Sequence, residues 1–470
     1  MRLLPLASVL ALSACVRGGA ASATDAPSCE YAIAPPAPGS WILHVDARLE
    51  RTAGERFVAP EAGDGIRQVS LVEDGTTRPL GQRDGAWLAP PCRDRCTLRY
   101  DVDLAAVAAG CHRMDCMHRV GEAFIGSAAI WMLRPEPMSG AIVRVTVQGG
   151  DPSRFATGLR RDPRGGYTMR SRELGEASYT AFGELRPARI DVPGGGGSLD
   201  VVALGPPVAM GDATVIAWVR DAAACIARLY GRFPAEATVF VVPVSGADEV
   251  VFGRVLSLAG GSVALLVGSD TPASAEHGDW VVVHELSHLG TVSFVGEGHW
   301  LEEGLATYYE PVLRERAGWM REEDLWKHFV SQMPRGVHRE GEPPSLEERD
   351  DIDSTYWGGA LFAFLADVRI RSVSRGRRSL DDVLRSSLAR LGDATHEATL
   401  ADFVRVAGEA TGSGAFGEVY SHFAMGGEPV DLDGIWRSLG VVQQPDGTVT
   451  MRDDAPLASV RRGIATGHQD

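Results

Sequence analysis

The sequence predicts a multidomain α+β chain, in which a β-sandwich-like N-terminal domain precedes an α/β region and a mostly helical C-terminal part. At 470 residues the chain exceeds one ordinary hydrophobic core, so two or three domains are expected. Its 55 glycines and 27 prolines imply many turns and hence much β structure. The apolar pattern also changes near residue 210, from alternation to helical spacing.

The elements follow in order. "MRLLPLASVLALSAC" places one arginine before a short apolar run and small residues, the layout of a secretory signal over residues 1–14. The run is too short to span a bilayer. Its end, Leu12-Ser13-Ala14-Cys15, resembles the lipobox of bacterial lipoproteins, which implies a lipid on Cys15, tethering to a membrane and a place in the bacterial cell envelope outside the cytoplasm. Residues 15–40, rich in Ala, Gly, Ser and Pro, read as a flexible leash. From 41 to 205, short alternating segments such as "WILHVDARLE" and "AIVRVTVQGG" predict the β-rich N-terminal domain. "ATVIAWVRDAAACIARLYGRF" then has helical spacing, and "ATVFVVPV" and "GGSVALLVG" read as strands, which makes 206–320 an α/β region. Segments from 321 to 440 are mostly helical, as in "SLDDVLRSSLARL", where Ser379 and Asp382 have capping-box spacing. Residues 441–470 predict a hairpin and a short tail.

With Cys15 assigned to lipid, Cys29, Cys92, Cys96, Cys111, Cys116 and Cys225 remain. An even number in an exported chain predicts disulfides, with "CRDRC" and "CHRMDCMH" stapling a loop-rich part of the N-terminal domain. The alternative is a second metal site on Cys111, Cys116, His112 and His118, although those spacings fit no common zinc module. The net charge of −16, with no long basic run, argues against nucleic acid as a partner.

The chemistry concentrates in "VVVHELSHLG", residues 281–290. Residues four apart on a helix share a face, so His284 and His288 can aim imidazoles at one metal ion. A catalytic zinc needs a third protein ligand and an open position for water. Glu285 stands beside that position, where it can take a proton from the attacking water and deliver one to a leaving amine. Downstream, "WLEEGLATYYE" (300–310) offers Glu302 or Glu303 on a returning helix as the third ligand, and spacing alone allows either. Thr307 and Glu310 share the helical face of Glu303 and are candidates to support the ligands. His299 is a candidate cleft residue.

These motifs resemble the gluzincin zinc peptidases, above all the aminopeptidase N and glycyl aminopeptidase families, whose His-Glu-x-x-His helix is followed by Trp-Leu-x-Glu-Gly-Phe-Ala-x-Tyr. The resemblance implies a thermolysin-like catalytic domain, a zinc ion on His284, His288 and Glu303, and a peptide or protein substrate. Leu305 replaces the usual phenylalanine, and the spacer is shorter than is common in the aminopeptidase N group. The likeness continues through "STYWGGALFAFLADVRIRSVSRGRRSLDDVLRS" (354–386), which implies that Tyr356 donates a hydrogen bond to the oxyanion. Aminopeptidase N relatives also carry Gly-x-Met-Glu-Asn on a strand before the zinc helix, its glutamate pairing with the substrate's α-amino group. Matching that strand to "LAGGSVALLVG" (258–268) leaves no carboxylate there, unless Asp270 or Glu302 reaches the site. Cleavage that does not depend strongly on a free amino terminus, with internal bonds of flexible peptides accepted, is therefore expected. Two other readings use the same scaffold: a hydrolase of a non-peptide substrate, and a non-catalytic envelope lipoprotein that binds a partner.

Overall fold

The computed structural model describes residues 29–52, 56–111, 116–136, 142–192 and 194–467. Cys15, with the signal and anchor assigned to it, and His112 lie outside the described residues. No helix among the described residues is long and apolar enough to cross a membrane.

The N-terminal part is built from an eight-stranded sheet and two four-stranded sheets. Trp131 is its packing centre, fully buried and edge-on to Tyr31 and Phe182. The Tyr100 hydroxyl satisfies the backbone there, donating to the Trp131 carbonyl and accepting from the Leu133 amide, both at 3.1 Å. One expectation is corrected in part: of the predicted leash, residues 15–28 lie outside the described residues, and Cys29–Ala34 is a strand inside the large sheet, parallel to Ile142–Val147 and antiparallel to Ile42–Thr52. Tyr31 and Ile33 alternate into the core, a two-residue pattern too short to stand out beside the neighbouring prolines.

Cys92 pairs with Cys96 and Cys111 with Cys116. This consumes the thiols of the alternative metal site. Cys29 and Cys225 are unpaired thiols, contrary to full pairing: one sits in the large sheet, the other on a helix of the second region, where its Sγ donates to the Asp221 carbonyl at 3.3 Å. Burial pushes both thiols up, to about 12 and about 11, which keeps them protonated and unreactive.

The second region is organised on a five-stranded sheet of β1 (Leu185–Ile190), β2 (Leu199–Leu204), β3 (Ala237–Val244), β4 (Val250–Leu256) and β5 (Gly261–Gly268). Their spatial order is β1-β2-β3-β5-β4. β2, β3 and β5 run parallel, and β4 returns antiparallel as an edge. The first two strands come from residues that the pattern assigns to the N-terminal domain, since alternation does not reveal which sheet a strand joins. Period-two alternation along β2 sends Val202 and Leu204 to one face, where with Phe240 and Ala264 they pack on Ile125, Tyr179 and Ala181 of a four-stranded sheet. Val201 and Ala203 face the helices α1 (Asp212–Tyr230) and α2 (Val281–His288).

Two further helices complete the frame, α3 (His299–Arg316) and α4 (Gly359–Ser374), the latter entered through a π-helical turn over Asp353–Gly358. They cross at a glycine pair: a Cβ on Gly304 would lie 2.2 Å from the Gly359 carbonyl carbon, and one on Gly359 would lie 2.0 Å from the Trp300 oxygen. Only glycine permits that approach. The predicted C-terminal hairpin forms from Val441–Gln443 and Val449–Met451, and the expected tail is helical over Ala458–Thr466. Arg461 anchors it, buried and donating to the carbonyls of Leu439 and Arg452 at 3.2 Å.

Candidate metal centre and catalytic cleft

α2 is buried on every side from Val281 to Ser287, so its apolar residues fix the helix in the core while the two histidines turn to one spot. α3 returns against it, and the glycine crossing with α4 brings the π-helical turn alongside. The imidazole rings of His284 and His288 are 5.0 Å apart. Glu303 Oε2 lies 3.2 Å from His284 Nε2 and 3.6 Å from His288 Nε2. All three donor atoms fall within 4.8 Å of one another.

This set fits a zinc ion. Tetrahedral ligands at about 2.0–2.1 Å stand about 3.3 Å apart, and the two carboxylate distances bracket that value. Two neutral imidazoles, one carboxylate and an open side towards the cleft are the donor chemistry of a catalytic rather than a structural zinc. Burial lowers His284 below its ordinary value, which favours the neutral ligand form. Burial would lower His288, but the charge of Glu303 raises it to about 9, so it gives up a proton on ligating a metal. Burial would raise Glu303, but the charge of His288 and hydrogen bonds from both histidines hold it well below the usual carboxylate range.

Between Glu302 and Glu303 the structure makes a clear division. Glu302 Oε1 accepts from the Phe294 amide at 2.8 Å, tying down the loop before α3, while Glu303 turns to the histidines. Burial raises Glu285 to about 7. Tyr356 stacks on His284 with ring centroids 6.1 Å apart. Burial, then the negative charges of Glu303 and Glu285, pushes its phenol up, so it stays a hydrogen-bond donor. His284, Glu285, His288, Glu303 and Tyr356 all line one cleft of about 400 Å³.

The remaining candidates separate. His299 lines the mouth of the cleft, its Nδ1 3.8 Å from Glu302. The Thr307 hydroxyl is buried without a hydrogen-bond partner among the described residues, so it supports no ligand. Glu310 pairs with Arg314 at 2.7 Å, and Arg314 donates to the Gly278 carbonyl at 2.8 Å. That chain clamps α3 to the loop entering α2. Asp270 is not among the cleft residues.

The wall opposite the helices is β4, not the 258–268 stretch, and here the strand assignment is corrected. Gly261–Gly268 is β5, one strand in from the edge. A Cβ on Gly253 would lie 2.3 Å from Glu285 Cγ and 2.7 Å from its Cδ, so the bare backbone of β4 rests on the catalytic candidate. Gly253 and its neighbour Arg254 escaped the sequence reading. The available signal was a glycine interrupting "VVFGRVL", a mark of close approach within a strand. β4 contains no Asp or Glu, so the absence of a carboxylate carries over to the correct strand.

Neither a protein-family model nor a curated protein matches the sequence. Solved structures do match in fold. An aminopeptidase N family protein from Idiomarina loihiensis superposes with a TM-score of 0.66 at 16% identity, over 88% of this chain and 79% of that one. An M1 zinc metallopeptidase from Deinococcus radiodurans gives 0.50 at 14% identity, over 86% and 94%. A mutant two-domain M1 zinc metallopeptidase bound to L-arginine gives 0.50 at 15%, over 86% and 95%. In fold, then, this chain is similar to an aminopeptidase N family protein and to M1 zinc metallopeptidases.

Proposed function

We propose that the protein is a zinc-dependent peptidase, held outside the cytoplasm by the lipid predicted on Cys15. The observation that carries the reading is the convergence of His284, His288 and Glu303 in a cleft that also holds Glu285 and Tyr356 and is walled by a sheet edge. When bound, zinc supplies Lewis acidity to water and to a carbonyl oxygen. Glu285 accepts the proton of the attacking water and returns it to the leaving amine. The Tyr356 hydroxyl donates to the developing oxyanion. The edge of β4 offers its backbone to an extended peptide, as in strand addition.

With no carboxylate on β4 to receive an ammonium, a free amino terminus has no partner on that wall, and burying it there is costly. We therefore place internal bonds of flexible peptides among the substrates. Peptides with free and acetylated amino termini should be cleaved at similar rates, and a preference of about a hundredfold for the free amine would make the protein an aminopeptidase.

The decisive experiment measures zinc and turnover together. The parent should hold about one zinc per chain. Glu285→Gln should keep the metal and lose several orders of magnitude in kcat, whereas His288→Ala should lose the metal. A parent that binds no zinc after careful handling, or a Glu285→Gln protein as active as the parent, would overturn the reading.

A further inference from the structure

One end of the cleft is lined from two sides, by Ser257 just past the end of β4 and by Ala394 on the loop of residues 393–396. That loop belongs to the helical wall, since the Ala394 amide donates to the Leu289 carbonyl at 3.2 Å, directly after His288. The next residue on each side is held by the same side chain. Arg160, in the edge strand Arg160–Arg161 of the eight-stranded sheet, donates through Nη2 to the Leu258 carbonyl at 3.3 Å and to the Thr395 carbonyl at 3.5 Å. Its Nη1 lies 3.9 Å from the buried carboxylate of Glu173. A guanidinium from the N-terminal part thus ties the strand wall to the helical wall.

The two tied backbones differ in how firmly they are held otherwise. The turn from β4 into β5 is seated in the N-terminal part without that guanidinium. Ala259 is fully buried in the core there, its carbonyl accepts from the Arg160 amide at 2.9 Å, and the Ser178 hydroxyl donates to the Gly260 carbonyl at 2.6 Å. The loop of Ala394 is folded on itself, Asp393 Oδ1 accepting from the Thr395 amide at 2.9 Å. Behind it lies a second cavity of about 250 Å³, lined among others by Arg160, Asp393, Thr395 and His396. The neighbouring link, Arg172 to Glu397 at 3.0 Å, is an exposed ion pair of the kind that contributes little. A loop backed by open space keeps its shape but can shift as a body, so the bond from Arg160 fixes its distance from β4.

We propose that Arg160 is a positioning residue for the substrate: by holding the two walls at one spacing it keeps open a distal subsite for the outer residues of a long peptide. Ser257, Ser293 and Ala394 line that subsite, Ser293 being bonded to the same loop through the His396 carbonyl at 2.9 Å. The lining is small and uncharged, so recognition there falls on the peptide backbone and on small side chains. Ser257 lies about four residues beyond Gly253, about 13 Å along a strand. A peptide paired with β4 therefore reaches the subsite only if it continues about four residues past the metal centre. The N-terminal part reads peptide length through Arg160. The inference rests on the peptidase reading for the class of ligand and deepens it to the size of peptide.

The test is calorimetric binding to zinc-loaded Glu285→Gln protein, which should bind without cleaving. Three N-acetylated peptide amides serve as probes: Ala-Phe-Ala, the same peptide extended by Ala-Ser-Ala-Ser at its amino end, and the same extension at its carboxyl end. At least one extended peptide should bind about tenfold to a hundredfold more tightly than the short one, the range of one or two added hydrogen bonds. Which one does so gives the direction of the chain along β4.

Adding Arg160→Ala should collapse that gain to about threefold or less with zinc retained. Arg172→Ala, which breaks the neighbouring link to Glu397, should leave the gain in place. In otherwise unaltered protein the effect of Arg160→Ala on the extended peptide should fall on KM rather than on kcat, a split that general loosening would not produce. Thermal melting confirms that each variant is folded, and Arg160→Met, which keeps the apolar stem, takes the place of Arg160→Ala if the latter melts early. Equal binding of all three peptides, a gain that survives Arg160→Ala, or a gain lost equally in Arg172→Ala would overturn the proposal. Cleavage by the parent is scored separately. Length-dependent binding without hydrolysis defeats only the peptidase reading, and hydrolysis of all three with equal binding defeats only the subsite. Zinc-loaded protein that neither binds nor cleaves any of them defeats the peptidase reading and the subsite with it.

Discussion

The two walls of the cleft differ in how their geometry is specified. The helical wall, α2, α3 and the π-helical turn, presents His284, Glu285, His288, Glu303 and Tyr356. A four-residue spacing places both histidines on one face wherever the helix sits. The strand wall, β4, owes its position to pairing with β5 and to the absence, among the described residues, of a strand on its other side. Those are properties of the sheet, and no local pattern encodes them. Chain order favoured the stretch next to the zinc helix, but the chain passes through the edge first and then turns inward. A motif therefore brings the candidate reactive groups together by local spacing, whereas the surface that would position a substrate depends on long-range pairing.

The helical wall can be broken at Tyr356. Tyr356→Phe removes one hydroxyl from a ring that stacks on His284 and should preserve fold and zinc. Loss of a single oxyanion donor costs roughly a hundredfold to a thousandfold in kcat with little change in KM. Steady-state kinetics on any cleaved peptide checks this, and an unchanged kcat would make Tyr356 a packing residue.

The strand wall should respond more mildly, and at a residue without a side chain. In Gly253→Ala the new methyl group would meet Glu285 Cγ at 2.3 Å and Val281 Cγ1 at 2.7 Å, so strand or carboxylate must shift. A displacement near 1 Å in a catalytic group costs up to about a hundredfold, so a fall of about tenfold to a hundredfold in kcat with zinc retained is expected. Full activity would show that β4 does not seat Glu285.

The same contrast explains what was legible in the sequence. The candidate metal ligands and both catalytic candidates stood in motifs of fixed spacing, and resemblance to the gluzincins chose Glu303 over Glu302. Gly359, which allows the crossing, was visible only as part of "WGGALF", because its partner Gly304 is 55 residues away and nothing local couples them. The strand Cys29–Ala34 was misplaced because its parallel neighbour Ile142–Val147 is distant in sequence, and the first two strands of the five-stranded sheet because they pair with each other locally, which does not tell which sheet they join. The C-terminal helix was hidden because Arg461 and Arg462 look solvent-exposed, whereas Arg461 is buried against carbonyls.

The smallest expected effect lies on the ligand helix itself, twelve residues beyond Glu303, and asks whether the far end of α3 can be altered without disturbing the site. Glu315 is half-buried, and its Oε2 has no hydrogen-bond partner among the described residues. Burial first, and then the charge of Glu322, raises its carboxyl to about 7. Between its ordinary value near 4.5 and about 7, the folded protein holds a proton that the unfolded chain has released. Stability from this group is thus complete below about 4.5 and lost as pH rises through about 7. Glu315→Gln removes the ionisation, so the variant should match the parent near pH 4.5 and be more stable at pH 8. Because the group is half-exposed, the gain is screened to about 1 kcal/mol. Melting temperatures of both proteins at the two pH values test it, with the difference isolating this residue from other buried carboxyls. Zinc content and kcat should not move. If kcat falls with the melting temperature unchanged, the far end of α3 is coupled to the metal site, and the helical wall is less locally determined than its motif suggests.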